Sequence, residues 1–352
     1  MKPLVSVIVP VHNAEASIAS CLGAIRSSDY GPLDVIVVDD SSDDRSVEII
    51  REFPCRLVRL SRRSGAARAR NAGLFEARGE ILFFTDADCI VYEDTIGRAV
   101  EVYESHGPDT VLGGTYAGRA FDPGLFSDFQ AMYVNYHESR NASVPDYVAT
   151  HAMMVNARTF RESGGFREDF MPILEDVEFS HRMKGRGFPL YIDPEIRVRH
   201  QFDFSLWGSL KNAFRKSYYW TAYSASHGDV LADSGTASHG LKVNVCAWCL
   251  ALVVSAAAVL FDAPLFVAGV VTAQFINLIA QRHFLSHLLS SANRATGLLS
   301  MLYYLVVYPA PVAAGAAAGL LKYLAASLRS GRVGQGLFHR CRDLEGDLKP
   351  PA

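Results

Sequence analysis

Apolar and polar positions alternate in short, regular blocks over the first 90 residues. Positions 5–9, 34–38 and 81–84 are runs of β-branched and aromatic residues, a pattern that predicts strands buried on both faces. Positions 14–27 and 45–53 instead place their apolar residues on one side of a helix. Because strand, helix and strand in this order form βαβ units, the pattern predicts an α/β fold with a mostly parallel sheet.

The alternation continues less regularly to about position 230. It predicts further strands at 55–60, 110–114, 190–193 and 196–200. Four aromatic residues between positions 126 and 136 recur at helical spacing, which favours a buried helix face over contacts with a ligand. We therefore expect residues 1–230 to form one globular domain.

The pattern changes after position 243, where most residues are apolar. Positions 243–281 carry a single charge, Asp262, close to Pro264 in the middle of the run. Each half of this segment would form a helix about 28 Å long, close to the thickness of a bilayer core of about 30 Å. The segment is predicted to be a transmembrane hairpin. A second uncharged run at 298–321 extends the predicted membrane region to 243–328.

Two segments beside this region carry basic residues. Positions 205–224 combine tryptophans and tyrosines with Lys211, Arg215 and Lys216, which predicts an amphipathic helix at the membrane surface. Positions 329–352 form a tail with several arginines, expected in the cytoplasm because basic residues favour that side of a membrane.

The basic residues make a full third span at 298–321 an unfavourable topology. A full span would place the segment that follows it outside the cell, although this segment carries Lys322, Arg329, Arg332, Arg340 and Arg342. Pro309 and Pro311 each remove a helical hydrogen bond, so they are expected to divide the run into two arms of about a dozen residues, too short to span separately. We expect a bent re-entrant or interfacial element.

Composition excludes several classes of protein. A net charge of −3 and the absence of a basic stretch interleaved with aromatics argue against a nucleic-acid partner. The six cysteines lack the spacing of a disulfide or zinc framework. The first strand is broken by Pro10 too early for a signal peptide, so the first domain is expected in the cytoplasm.

The strand at 81–84 leads into two carboxylates, Asp86 and Asp88. Because side chains alternate along a strand, this spacing predicts that both point the same way. Oxygen ligands of this kind suit Mg²⁺ or Mn²⁺, which complete their coordination with water and phosphate oxygens. The residues predict a metal site for a phosphorylated ligand, although a lone Asp-x-Asp also occurs in ordinary polar turns.

A second stretch has the composition of a phosphate-binding segment. Residues 65–73 combine small side chains, which allow close approach of the backbone, with Arg68 and Arg70. The Gly-x-Gly-x-x-Gly pattern of dinucleotide folds does not follow the first strand. These residues alone leave an ordinary basic helix start equally open.

Four elements together resemble the inverting family 2 glycosyltransferases, which have the GT-A fold. They are Val7-Ile8-Val9-Pro10-Val11-His12-Asn13, Val38-Asp39-Asp40-Ser41-Ser42-Asp43, the stretch from Gly65 to Gly73 with Ala69-Arg70-Asn71-Ala72, and Asp86-Ala87-Asp88. The family usually has glycine where Ser41 stands. The resemblance implies a Rossmann-like, mostly parallel sheet with helices on both faces, followed here by a helical membrane region.

The resemblance also implies roles for individual residues. Pro10, Asn13 and Arg70 would line the nucleotide pocket, Asp40 would bind the base, and Asp39 would support Asp40. Asp86 and Asp88 would hold the metal under the diphosphate, so Asp86 serves both donor and metal.

Two later residues complete the implied site. Gly164-Gly165-Phe166 precedes Glu175-Asp176, which makes Asp176 the implied base. A carboxylate there can take the proton of an attacking hydroxyl, whereas acids at a helix start are also favoured by the helix dipole alone. A histidine at the place of His200 is a third metal ligand in several GT-A enzymes, and an imidazole would favour Mn²⁺ over Mg²⁺.

The expected function is metal-dependent, inverting transfer of a sugar from a nucleotide diphosphate, with a UDP-sugar expected, to a lipid or lipid-linked glycan. Transfer to a polyprenyl phosphate remains an alternative, because that acceptor is already an anion and needs no base. The Gln-x-x-Arg-Trp element of processive synthases is absent from the stretch around His181 and Arg182. A membrane scaffold that binds nucleotide sugars without activity is the alternative from another class.

Overall fold

The computed structural model describes residues 2–261 and 265–330. The strands are β1 Val5–Val11, β2 Leu33–Asp39, β3 Arg56–Arg59, β4 Ile81–Phe84, β5 Cys89–Val91, β6 Val111–Tyr116, β7 Met153–Asn156 and β8 Leu190–His200. The helices that follow or separate these strands are α1 Ile18–Arg26, α2 Ser46–Ile50, α3 Ala66–Glu76, α4 Thr95–His106, α5 Leu125–Ser139, α6 Ala157–Glu162 and α7 Glu175–Gly185. The remaining helices are α8 Leu206–His227, α9 His239–Phe261, α10 Leu265–Ser291, α11 Arg294–Leu302 and α12 Pro309–Ser330.

The eight strands form one sheet in the order β3-β2-β1-β4-β7-β6-β8-β5. The first four in this order are parallel, as their spacing in the sequence predicts. The chain adds β2 and β3 on one side of β1 and then returns to place β4 on the other side. This reversal between β1 and β4 is a topological switch point, where α/β sheets bind ligands beyond the carboxyl ends of their strands.

The second half of the sheet is mixed. Strand β7 is antiparallel to both β4 and β6, and β5 is antiparallel to β8, while β6 and β8 run parallel. The two strands expected at 190–193 and 196–200 are one continuous strand, β8. Strand β5, which has three residues, has no counterpart in the sequence prediction because a run this short carries little periodic signal.

The chain contacts divide the protein into two compact units. The described part of the first unit comprises residues 2–122 and Glu138–Asp203, and contains the whole sheet. Its core is built from sheet residues and a cluster of phenylalanines, in which Phe84, Phe160, Phe166 and Phe179 have ring centres 5.0–5.4 Å apart. Phe166 of the Gly-Gly-Phe stretch is thus a core residue beneath the sheet's ligand-binding edge.

The second unit is helical, and its described part comprises Pro123–His137 and the described residues from 204 to 330. The aromatic side chains of α5 pack inside it, as their spacing predicts: Phe129 and Tyr133 are almost fully buried against Tyr303, Tyr304 and Tyr308. The interval 123–137, which the sequence assigned to the first domain, therefore packs with the helices that follow it.

Two of the described helices are long and apolar enough to cross a membrane. They are His239–Leu260 in α9, with a mean hydropathy of 2.3, and Pro309–Leu328 in α12, with a mean hydropathy of 1.3. Only 11% and 17% of these windows are buried inside the protein. The hairpin turn predicted at Asp262 lies outside the described residues, as does most of the basic tail at 329–352.

The prolines break the apolar run at 298–321, as the sequence predicts, but the arms differ from the expected length. Helix α11 passes into a π-helical turn, Tyr303–Val307, and α12 begins at Pro309. The second arm is 22 residues long. The expectation that both arms are too short to span is therefore wrong for α12, because the helix continues past Lys322.

Carbonyls near this break are satisfied from α9. Proline has no N–H, so Pro309 cannot complete the hydrogen-bond ladder of the preceding turn. The Asn244 side chain donates to the Tyr304 carbonyl at 2.8 Å, and the Trp248 indole donates to the Val306 carbonyl at 2.9 Å. Asn277 donates in turn to Asn244 at 2.8 Å. These polar residues within apolar helices therefore have a structural role.

Candidate functional site

A cleft of about 460 Å³ opens at the carboxyl ends of β1, β2 and β4. Its wall includes the segment that follows β1, the residue that follows β2, and the turn that follows β4. Seven of the sequence-predicted site residues line it: Pro10, Asn13, Asp40, Arg70, Asp86, Asp88 and His200. The fold thus brings together side chains from five separate stretches at the switch point of the sheet.

Asp39 and Asp40 follow β2 and have different environments. Both oxygens of Asp40 accept hydrogen bonds from successive backbone N–H groups, those of Ser64 and Gly65, each at 2.7 Å. Gly65 has a φ of +92°, which only glycine adopts readily, and α3 begins directly after it. Because an ionised carboxylate has about four acceptor sites, Asp40 keeps capacity for a ligand in the cleft.

Asp39 is fully buried and does not line the cleft. One of its oxygens accepts from the Ser42 backbone N–H at 3.0 Å, and the other accepts from Arg59 at 3.2 Å. Ser41, which lies between Asp39 and Ser42 in the chain, has a φ of +63°. A glycine adopts this left-handed conformation more readily than a serine does. The contacts of Asp39 with Ser42 and Arg59 stabilise the loop that carries Asp40.

Asn13 fixes the loop after β1 to the loop after β2. Its side-chain amide donates to the Asp43 carboxylate at 2.6 Å and accepts from the Asp43 backbone N–H at 3.0 Å. Its own backbone has a φ of +52°, and its N–H donates to the Ser42 hydroxyl. The side chain expected to contact the nucleotide is therefore engaged in shaping the rim of the cleft.

The Asp86–Asp88 segment is a turn rather than the end of an extended strand. Strand β4 ends at Phe84, and the Cys89 N–H donates to the Asp86 carbonyl at 3.0 Å. The sequence prediction assumed that Asp86 and Asp88 continue the strand, so that both side chains point the same way. This assumption is wrong, because the strand ends before Asp86. Both line the cleft, but the Asp86 carboxylate contacts Arg70 whereas that of Asp88 contacts His200.

Pairing of β5 with β8 sets His200 beside Asp88. In this antiparallel pair Cys89 lies opposite His200, and the Gln201 N–H donates to the Asp88 carbonyl at 2.8 Å. The His200 imidazole lies 3.3 Å from the Asp88 carboxylate and stacks on Phe202 with ring centres 4.0 Å apart. Burial and the nearby Asp86 charge raise the pKa of Asp88, while His200 opposes the shift.

The donor atoms at this place fit a divalent cation. The ligand atoms of Asp88, Cys89 and His200 all lie within 4.8 Å of one another. A carboxylate and an imidazole are ligands that Mn²⁺ and the later transition metals accept. Among the described residues, this group contains two of the three side chains expected to bind the metal, Asp88 and His200, together with Cys89, whereas Asp86 lies outside it.

Arg70 connects the two acidic parts of the site. Its guanidinium donates to Asp86 at 2.6 Å and to Glu175 at 2.6 Å, and only 3% of the residue is exposed. The Arg70 charge holds the pKa of Asp86 below its usual value against the effect of burial. The guanidinium thus holds two carboxylates from distant parts of the chain next to the cleft.

Asp176 lies beside Glu175 in the first turn of α7. The residue before this turn, Leu174, has a φ of +77°, a strained conformation for a leucine, which is often found at functional sites. Burial and the neighbouring Glu175 charge raise the pKa of Asp176 to about 6. Asp176 does not line the cleft itself, but Arg70, which lines it, contacts the adjacent Glu175.

The sequence missed several residues of the cleft. His12, Ser17 and Gln201 contribute polar groups to its wall, and Cys89 lies beneath Asp88. His12 and Gln201 are neighbours of predicted site residues, so adjacency was a usable signal for them. Cys89 is likewise the neighbour of Asp88, but its contact with His200 depends on the pairing of β5 with β8.

Residues 6–159 match the family model described as glycosyl transferase family 2. Among curated proteins, the chain is similar to glycosyltransferase AglE of Haloferax volcanii, with 29% identity over 53% of this chain and 64% of the relative. It is also similar to glycosyltransferase GlyG of Streptococcus pneumoniae, with 33% identity over 33% of this chain and 40% of the relative. The matched part of the chain thus spans less than two thirds of the length of these relatives.

A solved structure shares the fold over most of the chain. The mannosyltransferase PcManGT from Pyrobaculum calidifontis, in complex with GDP-Man and Mn²⁺, aligns with a TM-score of 0.56 at 19% identity. The alignment covers 92% of this chain and 88% of that one. The fold class expected from the sequence, GT-A followed by apolar helices, is thereby confirmed.

Proposed function

Because residues 6–159 form a domain of glycosyl transferase family 2, we propose that this chain transfers a sugar from a nucleotide diphosphate to a hydroxyl of a lipid or lipid-linked glycan, with inversion at the anomeric carbon. The observation that carries the proposal is the convergence of Asp40, Arg70, Asp88 and His200 in one cleft at the switch point. A nucleotide base, a diphosphate and a cation each find matching groups there.

The donor would lie along the cleft from Asp40 to Asp88. Asp40 retains acceptor sites for the N–H groups of a base, and the loop around Pro10 and Asn13 forms the adjacent wall. We expect uridine as the base. The solved relative with the same fold holds GDP-Man and Mn²⁺, which supports a nucleotide sugar and a divalent cation without deciding the base.

Asp88 and His200 would hold the cation, with Asp86 near it. Bound there, a Mn²⁺ or Mg²⁺ ion would supply positive charge for the departing diphosphate. Asp86 is held by Arg70, so this guanidinium is positioned to keep one carboxylate ionised and oriented at the same edge of the cleft.

Asp176 is the proposed base. The acceptor oxygen forms a bond to the anomeric carbon as the bond from that carbon to the diphosphate oxygen breaks, and the acceptor proton moves to the Asp176 carboxylate. A raised pKa of about 6 suits this task, because the group is ionised at neutral pH and still a stronger base than an ordinary aspartate.

The apolar surface of α9 supports membrane attachment. Val253, Val259 and Leu260 are exposed by 67–84% within the protein, although the helix has a mean hydropathy of 2.3. Such a surface on a monomer is typical of a membrane or protein contact. On α10, Val271, Phe275 and Ile276 are likewise exposed by 58–63%. We propose that α10 is the arm that returns from α9 in a transmembrane hairpin of the inner cell membrane and that the catalytic domain is cytoplasmic, where nucleotide sugars are made.

Helices α8 and α12 are better placed at the interface than across the bilayer. They run parallel in close contact, because Gly315 abuts the Phe214 carbonyl and Gly319 abuts the Tyr218 carbonyl. The exposed Arg215 lies at the same level as these glycines, near the middle of the apolar part of α12. A charge at the bilayer centre costs about 2.5 to 3.5 kcal/mol, so spanning by this pair is disfavoured.

The test is a panel of nucleotide sugars, scored for metal-dependent release of nucleotide diphosphate by the detergent-purified protein, with membrane lipid extract as acceptor. We expect one donor to be used and EDTA to abolish release. Asp88→Asn should lower turnover at least ~100-fold if the cation supplies several kcal/mol at the transition state. Glu162→Gln, a change at an exposed ion pair, is the matched control.

Unchanged turnover in EDTA, or in the Asp88→Asn variant, would contradict the metal-dependent mechanism. Donor binding without any turnover across the whole panel would favour the scaffold alternative. If the acceptor is a polyprenyl phosphate, Asp176→Asn should leave turnover largely intact, because that acceptor is already an anion and needs no base.

A further inference from the structure

Cys89 lies within the group of metal-ligating atoms at the cleft. Its sulfur is 4.0 Å from the Asp88 carboxylate oxygen, and the same carboxylate is 3.3 Å from the His200 imidazole. Among the described residues, this is the only group of three such side chains whose ligand atoms all lie within 4.8 Å. The three ligands are an oxygen, a sulfur and a nitrogen.

Backbone structure holds the three residues in place. Asp88 and Cys89 are consecutive residues of the turn that the hydrogen bond from the Cys89 N–H to the Asp86 carbonyl closes. The register of β5 with β8 sets His200 opposite Cys89. Cys89 itself is fully buried. The His200 side chain is 14% exposed and that of Asp88 is 44% exposed, so the cation would be reached from the cleft on the Asp88 side.

The separations are near those of a tetrahedral site. Zinc bonds of about 2.3 Å to sulfur and about 2.0 to 2.1 Å to nitrogen and oxygen place neighbouring ligand atoms about 3.5 Å apart. The observed 3.3 and 4.0 Å differ from this value by only a few tenths of an ångström, and the sulfur and imidazole ligand atoms lie within 4.8 Å of each other.

The chemistry of the three ligands favours a softer ion than Mg²⁺. Thiolate selects zinc and other late transition metals, whereas Mg²⁺ takes oxygen ligands and Mn²⁺ stands lowest in the affinity order of the first-row divalent metals. We propose that Cys89 is the third protein ligand of this centre and that the centre binds Zn²⁺ or Co²⁺ more tightly than Mn²⁺ or Mg²⁺. On binding, the thiol gives its proton to solvent.

This inference rests on the proposed cation site at Asp88 and His200 but not on sugar transfer. Zinc and manganese would therefore compete for this centre, because a bound zinc ion would occupy the Asp88 and His200 ligands that a Mn²⁺-dependent sugar transfer needs. Zinc is therefore expected to displace Mn²⁺ from the full-length protein even when no donor is present.

The experiment is a Co²⁺ titration of the full-length protein in detergent, without donor, followed by absorption spectroscopy. We expect a thiolate-to-cobalt charge-transfer band in the wild type. Cys89→Ser should lose the band and bind Co²⁺ at least ~10-fold more weakly, since even groups that only support metal ligands cost this much. Cys21→Ser is the matched control, because Cys21 is buried beneath the same turn and donates to the Asp86 carbonyl at 3.4 Å.

A Co²⁺ complex of the wild type without the band, or a band that persists in Cys89→Ser, would overturn the inference. Should Cys89→Ser fail to fold, X-ray absorption of the zinc-loaded wild type gives the same decision, because a Zn–S shell at about 2.3 Å is required. Failure of sugar transfer would leave these spectra unaffected, so the two proposals fail separately.

Discussion

At the scale of single residues, the site is organised by two contacts of one buried guanidinium. Arg70 pairs with Asp86 and Glu175, which lie 16 and 105 positions away along the chain. Both partners are carboxylates, and truncating the arginine would leave them buried without their cation, a costly change in a low-dielectric environment. Asp176 is next to Glu175 in the chain, and the charges of Glu175 and Arg70 act in opposite directions on the pKa of Asp176.

Asp176→Asn is expected to abolish transfer to a hydroxyl while donor binding survives, because the change keeps the shape and removes the proton acceptor. The wild-type rate should fall as the pH drops through about 6, where Asp176 becomes protonated. Donor binding measured by calorimetry, beside turnover as a function of pH, checks both statements. A collapse of donor affinity would instead assign Asp176 to the nucleotide site.

The same variant is expected to be more stable than the wild type at neutral pH. Since the folded-state pKa of Asp176 exceeds the ordinary aspartate value, the folded protein holds its proton more tightly, and wild-type stability falls as the pH rises from about 4 to about 6. Asparagine does not titrate. The gain in melting temperature should therefore be present at pH 8 and vanish near pH 4, and a gain independent of pH would contradict this origin.

Glu175→Gln is expected to move the acid limb of the rate profile to lower pH. The Glu175 charge raises the pKa of Asp176, and its removal leaves the opposing effect of Arg70. Glu178→Gln is the matched control, because Glu178 is in the same helical turn but pairs with Arg182 at 3.0 Å. Equal profiles for the two variants would show that Glu175 has only a structural role.

At the scale of helices and strands, close backbone packing defines the second unit. A Cβ atom added at Gly315 would lie 2.3 Å from the Phe214 carbonyl oxygen, and one added at Gly319 would lie 2.3 Å from that of Tyr218. Small residues four positions apart let helices approach in this way, in membranes especially. The Lys322 ammonium lies 5.5 Å from the Tyr218 ring, which extends the contact by a cation–π interaction.

Gly315→Ala is expected to destabilise the packing of α8 against α12 by about 1 to 3 kcal/mol, the usual cost of overpacking. Gly269→Ala in α10 is the control, since an added Cβ there meets nothing within 4 Å and alanine favours a helix. Thermal unfolding in detergent compares the two. Equal melting temperatures for both variants would mean that the close contact does not persist in solution.

At the scale of the whole molecule, the proposed topology fixes the side of the membrane on which the basic residues after α12 lie. If α9 and α10 form the proposed hairpin, the chain returns to the cytoplasm, and a spanning α12 would then export these basic residues. The positive-inside tendency opposes this outcome, and so does Arg215 of α8, which lies beside the middle of α12. We therefore expect α12 to lie at the cytoplasmic interface with α8.

Single cysteines at Ser330 and Asp347, in a background without the six natural cysteines, test this topology. In intact cells, a membrane-impermeant thiol reagent should leave both unlabelled, whereas permeabilised cells should label them. A cysteine placed at a site known to be external in another membrane protein verifies the reagent. Labelling in intact cells would establish a third span.

The sequence alone determined the local architecture and the location of the site. Periodicity predicted the parallel strands β1 to β4 and the apolar helices, because the burial of a strand or helix face is written into residues two or three to four positions apart. Placing Asp40 and Asp86 after strand ends was sufficient to predict their shared cleft, since parallel strands end at one edge of a sheet.

The tertiary structure decided which side chains act on one another. The pairing of β5 with β8 brings His200 and Cys89 to Asp88, and packing of α7 brings Glu175 to Arg70. Beyond the end of β4, the Asp86 carboxylate pairs with Arg70 and that of Asp88 with His200, which strand geometry alone does not predict. Such contacts join residues far apart in the chain, and they depend on register, turn geometry and rotamers, which are fixed only when the whole core packs and leave no periodic pattern in the sequence.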